Sequence, residues 1–104
     1  MAMSLDTLIK RASEAFDAAL AAAAPGSAMA PALDRLDHRP THILAIGKAA
    51  SAMARACRDH GLDAQGVIIT NPENAADVEG FELIIGSHPV PDQGSMDGAK
   101  RAIE

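Results

Sequence analysis

The chain has 104 residues, 48% of them hydrophobic, and carries nine Lys and Arg against fourteen Asp and Glu, a formal net charge of -5. An acidic balance with no run of Lys or Arg excludes the cationic surface that non-specific binding to a phosphate backbone needs, so nucleic acid is not an expected partner. Cys57 is the single cysteine, which excludes an internal disulfide or a thiolate metal cluster and points to a reducing compartment.

Asp6, Lys10, Arg11 and Glu14 interrupt any signal-peptide core. The longest apolar stretch, Ala18 to Ala24, is far short of the ~20 residues that span a bilayer. A cytoplasmic location without membrane contact is therefore expected. The length suits part or all of one domain, and with Phe16 and Phe81 as its aromatic residues the core must rest on aliphatic contacts.

The first element is a helix, since Leu5, Leu8, Ile9, Ala12, Phe16, Ala19, Leu20 and Ala23 recur at helical spacing. Ser4 is placed as its N-cap, Asp6 sits in its first turn and Pro25-Gly26 stops it. The expected role is to pack on the outside of a sheet. Residues 27–40 then read as a connector, with room for one short helix around Ala32 to Leu36 between prolines.

His42 to Ile46 is a short apolar run closed by Gly47, the pattern of a strand buried on both faces. From Lys48 onward a helix is expected, with Ala50, Met53, Ala54 and Cys57 on its apolar stripe, Ser51, Arg55, Arg58 and Asp59 elsewhere, and Gly61 as its C-cap. Gly66 to Thr70 gives a second strand and Phe81 to Gly86 a third. Asn71-Pro72-Glu73-Asn74 is turn chemistry, and Ala75 to Gly80 is too short for a long crossover helix.

After the third strand, two prolines in Ser87-His88-Pro89-Val90-Pro91-Asp92 forbid helix. Asp92 then caps a final helix with Met96, Ala99, Ala102 and Ile103 as its apolar face. Three buried strands require helices on both faces, and about three substantial helices are present. The expectation is an α/β, Rossmann-like three-layer domain with a mostly parallel sheet, present only in part. Such a half-covered sheet is expected to self-associate.

Gly47-Lys48 lies where a strand passes into a helix, so backbone N–H groups and the Lys48 ammonium can converge on one phosphate or carboxylate. In an open α/β sheet this is the edge where ligands bind. The turn lacks the glycine spacing of a P-loop and two of the three glycines of a dinucleotide fingerprint. Ser87-His88-Pro89 ends the third strand, hence the same sheet edge, and His88 either faces that cleft or only fixes the loop. His38, His42 and His60 show no metal-ligand spacing, so no metal site is assigned, and Cys57 reads as a buried, inert thiol.

Three segments together carry a resemblance: Ile43-Leu-Ala-Ile-Gly-Lys-Ala-Ala-Ser-Ala-Met53, Val67-Ile-Ile-Thr-Asn-Pro-Glu-Asn-Ala75 and Gly86-Ser-His-Pro-Val-Pro-Asp92. In order and spacing they resemble the class II glycerate 2-kinase family, whose members often carry the label hydroxypyruvate reductase. The helix through Phe16 to Pro25 is similar to that family's opening helix, so the likeness covers nearly the whole chain. Ile46 departs from it, standing where many members have a further glycine.

The resemblance implies that residues 1–104 are the N-terminal part of a Rossmann-like domain, with the rest of it and a C-terminal domain beyond Glu104. It implies transfer of the ATP γ-phosphoryl group to the 2-hydroxyl of D-glycerate with Mg²⁺, giving 2-phosphoglycerate. Lys48 would be the catalytic cleft lysine, and Gly47, Lys48, Ser87, His88 and Asp92 would bind the substrate or brace its cleft. The 104-residue chain alone is then expected to be inactive. An NAD(P)H-dependent hydroxypyruvate reductase and a non-catalytic sugar-phosphate-binding module are the alternatives.

Overall fold

A computed structural model describes residues 2–104. Helix α1 spans Leu5–Ala23, and the Ser4 hydroxyl accepts from the Thr7 N–H at 3.2 Å, satisfying one of the free donors of its first turn. Extended backbone at Ala24 breaks the helix, and α2 (Pro25–Asp34) follows at once with Pro25 at its first position. This overturns the expected connector: proline at a helix start loses no needed hydrogen bond and has its φ already set. Pro31 sits inside α2 and forfeits one backbone bond there. Packing of α2 against α3 (Ala50–Asp59) holds the segment in place, with Met29 beside Ile43, Met53 and Cys57.

Three parallel strands, β1 (His42–Ile46), β2 (Gln65–Thr70) and β3 (Phe81–Ile85), form a sheet in the order β1-β2-β3. Ala45 is in register with Ile68, and Ile68 with Leu83. These three side chains therefore share one face. On it, Ala50 and Ala54 of α3 close over fully buried Ile68, with Val78, Phe81 and Leu83 completing the core. Alanine at these positions allows the close helix-to-sheet approach that the poor aromatic supply demands.

The β2–β3 connection contains a single 3-10 turn at Pro72–Asn74. It is secured to α3 where the Ala76 N–H donates to Ser51 Oγ at 3.2 Å. Ser51, expected off the buried stripe, is thus buried because it serves that loop, whereas Met53, expected on the stripe, is 41% exposed.

Helix α4 (Gln93–Ile103) covers the opposite face, over β3 and β2. The apolar face expected from Met96 and Ile103 does not meet the sheet, since both are exposed. The buried residue is Gly98, where an added Cβ would lie 2.8 Å from Ile69 Cγ2. The helix sits too close for a larger side chain at that point.

β1 is only half-buried, with Leu44 and Ile46 exposed on the α4 side. No described residue of α1 is buried. The radius of gyration is 18.0 Å against the ~13 Å of a compact chain of this length, because α1 touches α2 rather than the sheet. The expected role of α1 as a sheet-packing helix is overturned.

Candidate functional site

All three strands are parallel, so their carboxyl ends share one edge of the sheet. At the end of β1 the Gly47 N–H still donates to the Ile69 carbonyl at 3.0 Å. Gly47 then turns with φ +117, backbone that a side chain strongly disfavours. The Ala50 N–H returns to the Gly47 carbonyl at 3.1 Å. This places Lys48 on an exposed turn before α3, whose start has no side-chain cap. Among the described residues no ion pair engages Lys48.

β2 ends in buried Thr70 and Asn71. The Asn71 amide donates to Glu73 Oε2 at 2.7 Å, while its carbonyl accepts from Asn74 at 2.8 Å and Thr70 Oγ1 at 3.3 Å. Each polar group so satisfied can be buried at little cost. The network fixes the turn between the other two strand ends.

Beyond β3, the Gly86 N–H donates to the Thr70 carbonyl at 2.9 Å, and the chain enters the Ser87–Asp92 loop through a cis His88-Pro89 peptide. Asp92 Oδ1 accepts from the Ser87 N–H at 3.0 Å and from the Ser95 N–H at 3.1 Å, and Ser95 Oγ accepts from the Asp92 N–H at 3.2 Å. This is a reciprocal capping box that also ties the loop down. The Ser87 N–H, then that of Ser95, holds the Asp92 carboxyl below the usual aspartate range.

A hollow of about 280 Å³ opens between these ends, lined by Gly47, Lys48, Asn71, Ser87, His88 and Ser95 among others. Four residues expected to share a site, Gly47, Lys48, Ser87 and His88, come together there. Asp92 lies behind them, its carboxylate engaged with the loop backbone. Thr70, Asn71 and Ser95 were not expected. Their signal was a polar pair closing an apolar strand and a serine three residues after a capping aspartate.

The remaining histidines and the cysteine lie elsewhere. His42 meets Thr41 and Gln65, and His60 pairs with Asp34 at 3.0 Å. Cys57 is buried, and desolvation raises its thiol pKa. No group of three or more His, Cys, Asp or Glu side chains among the described residues is arranged to hold a metal ion. None of the described helices is long and apolar enough to cross a membrane.

The fold is an open parallel α/β unit with a largely apolar hollow, edged by Lys48, Asn71, Ser87 and His88, at the carboxyl edge of its strands, the place where such proteins bind small ligands. Residues 11–104 match the family described as "Domain of unknown function (DUF4147)". The chain belongs to this family and corresponds to the N-terminal part of glycerate kinase family proteins.

Among curated relatives, it is 40% identical over 63 residues to a glycerate 2-kinase of Pyrococcus horikoshii, covering 60% of this chain and 14% of that protein. A protein of Agrobacterium vitis with the provisional name hydroxypyruvate reductase is 34% identical over 91 residues, 83% of this chain and 20% of that one. The crystal structure of a glycerate kinase of Thermotoga maritima superposes with a TM-score of 0.79 at 31% identity, over 92% of this chain and 24% of that one. A Pyrococcus horikoshii structure gives 0.74 at 30% identity, over 97% and 25%. The chain thus spans a quarter or less of the proteins it resembles.

Proposed function

We propose that this chain is the N-terminal region of an ATP-dependent glycerate 2-kinase, which phosphorylates D-glycerate to 2-phosphoglycerate in the complete protein. The observation that carries the reading is the convergence of Lys48 and His88, from two different strand ends, on one hollow. A lysine free of carboxylate partners at a helix start is suited to a phosphate or carboxylate oxygen, with backbone N–H groups of the α3 start beside it.

Phosphoryl transfer depends on positioning and on neutralising charge. In this proposal Lys48 supplies a fixed positive charge, Gly47 admits close backbone approach, and Ser87 and His88 orient the substrate from the opposite wall. Asp92 is a positioning residue acting through the Ser87 N–H. The described residues offer no donor set for Mg²⁺, so no step is assigned to the metal here, and catalysis requires the rest of the protein.

The test is steady-state phosphorylation of D-glycerate by the complete protein with ATP and Mg²⁺. Lys48→Ala should lower kcat/KM by ~10² to 10³-fold, the usual loss on removing one charge-stabilising group, with unchanged circular dichroism. Near-normal turnover by that variant would remove the role of Lys48. NADH oxidation with hydroxypyruvate and no phosphoryl transfer would replace the kinase reading with the reductase one. Binding of sugar phosphates with neither turnover would leave a binding module.

A further inference from the structure

We infer that α1 is a self-association element: the α1 helices of two copies of this chain pair antiparallel along their apolar stripes, about a twofold axis at Glu14. Lys48 and the hollow beside it take no part, so the pairing stands apart from the kinase reading.

α1 presents an uncovered apolar stripe. Its side chains Leu5, Leu8, Ile9, Phe16 and Leu20 are between 48% (Leu8) and 71% (Leu5) exposed, and no described residue of the helix is buried. A lone helix of 19 residues is marginal in water, because helical stability comes chiefly from packing an apolar face. α1 touches α2 rather than the sheet, so the fold itself leaves that face open. The chain exposes 7414 Å² in all, whereas a compact chain of this mass exposes about 5,500 Å². The excess, roughly 1,900 Å², is more than the ~800 Å² that each partner buries in a stable dimer.

The stripe is its own complement. An interface between two identical copies requires that where residue i meets residue j, j meets i. Counting outward from Glu14 in both directions, Ala12 and Phe16 lie two residues away, Ile9 and Ala19 five, and Leu5 and Ala23 nine. Antiparallel pairing therefore sets Phe16 against the partner's Ala12, Ile9 against the partner's Ala19 and Leu5 against the partner's Ala23. Each pair joins a large side chain to an alanine, the alternation that lets facing helices interdigitate closely. Leu8 and Leu20, both six residues from the centre, complete the seam. A parallel pair would instead set large against large at Leu5 and alanine against alanine at Ala19 and Ala23.

Charge follows the same symmetry. Asp6, Lys10 and Arg11 give the amino half of α1 a net +1, and Glu14 and Asp17 give the carboxyl half -2. The antiparallel arrangement lays these opposite signs alongside each other and opposes the two helix dipoles. Lys10 and Asp17, two turns apart, share one flank of the helix. They stand four residues before and three after Glu14, so each comes within one residue of the other's height across the seam. A membrane surface is the poorer occupant, since helices that lie in the interface are rich in Lys and Arg, and here two cations stand with three carboxylates.

Sedimentation equilibrium of the complete protein, from micromolar to millimolar concentration, tests this. A reversible dimer is expected. Leu8→Asp sets a carboxylate against the partner's Leu20 and should raise the dimer Kd by ~100-fold or more, with unchanged circular dichroism because no described residue of α1 is buried within one copy. Ile9→Ala should weaken the dimer about tenfold. Adding Ala19→Ile to it should restore the parent Kd, because the seam again sets one isoleucine against one alanine. A monomer at every concentration would overturn the inference and assign the stripe to contacts within one polypeptide. A dimer that Leu8→Asp leaves intact would overturn it as well, as would a double variant no tighter than Ile9→Ala alone.

Discussion

Arg58 should be the largest single polar contributor to stability, and Arg58→Met is the perturbation that measures it. Its Nη1 donates to the Leu62 carbonyl at 3.1 Å, and its Nη2 donates to the Ala64 carbonyl at 2.6 Å and the Glu79 carbonyl at 2.7 Å. The guanidinium also lies 5.6 Å from the centre of the Phe81 ring. One side chain thus clamps the two segments that lead into β2 and β3. The Asp63 pair at 3.8 Å adds little, because Asp63 is fully exposed. Three charge-assisted bonds at about 1 kcal/mol each, discounted for partial exposure, and a cation–π term of about 0.5 kcal/mol give about 3 to 4 kcal/mol. With a urea m-value of about 1 to 1.5 kcal/mol per M for a chain of this size, the midpoint should fall by about 2 to 4 M. Arg58→Lys keeps the charge but reaches fewer carbonyls, so it should lose roughly half as much. A midpoint within about 0.3 M of the parent for Arg58→Met would refute the clamp.

Gly47→Ala should destabilise by about 1 to 3 kcal/mol through backbone strain alone, since nothing lies within 4 Å of the added Cβ. Gly26→Ala, in equally open space within α2, should be neutral or stabilising by up to ~1 kcal/mol, and equal unfolding temperatures for the two variants would contradict this. Asp92 has a lowered carboxyl pKa, so its contribution is fully present above the ordinary aspartate value of about 3.9 and is lost as pH falls through the lowered folded value. The parent should therefore lose its advantage over Asp92→Asn only in that acid window, and a constant difference between their unfolding curves from neutral pH into strong acid would refute the assignment. Cys57, buried with a raised pKa, should react with a disulfide reagent at least ~100-fold more slowly in the folded protein than in urea, and equal rates would show that the α2–α3 seam is open.

The strands, the two capped helix starts and the carboxyl-edge position of Lys48 and His88 were legible because each rests on local chemistry. An apolar run closed by Gly47, a serine or aspartate before a periodic segment, and prolines in the Ser87–Asp92 loop act within a few residues of themselves. Parallel pairing then did the long-range work. Once β1, β2 and β3 point the same way, Gly47-Lys48 and Ser87-His88 must end on one edge. The α2 segment was illegible because Pro25 and Pro31 both read as helix breakers, whereas one of them starts the helix. Arg58 was placed only off the apolar stripe of α3, because the pattern does not tell a solvated arginine from one that reaches the carbonyls of Leu62, Ala64 and Glu79.

The helix faces failed for a different reason. Periodicity assigns the apolar stripe of α4 to Met96, Ala99, Ala102 and Ile103, of which only Ala102 is half-buried, and the residue buried against the sheet is Gly98, because a helix seats where its side chains are smallest and its backbone can come closest. Burial belongs to a pair of surfaces, and a sequence pattern describes only one of them. Met96 and Ile103, 66% and 87% exposed, lie on a helix packed over β2 and β3, while Leu44 and Ile46 face the same side of the sheet from β1. Apolar surface left open on both α4 and the neighbouring strand is what a further layer against this face would cover.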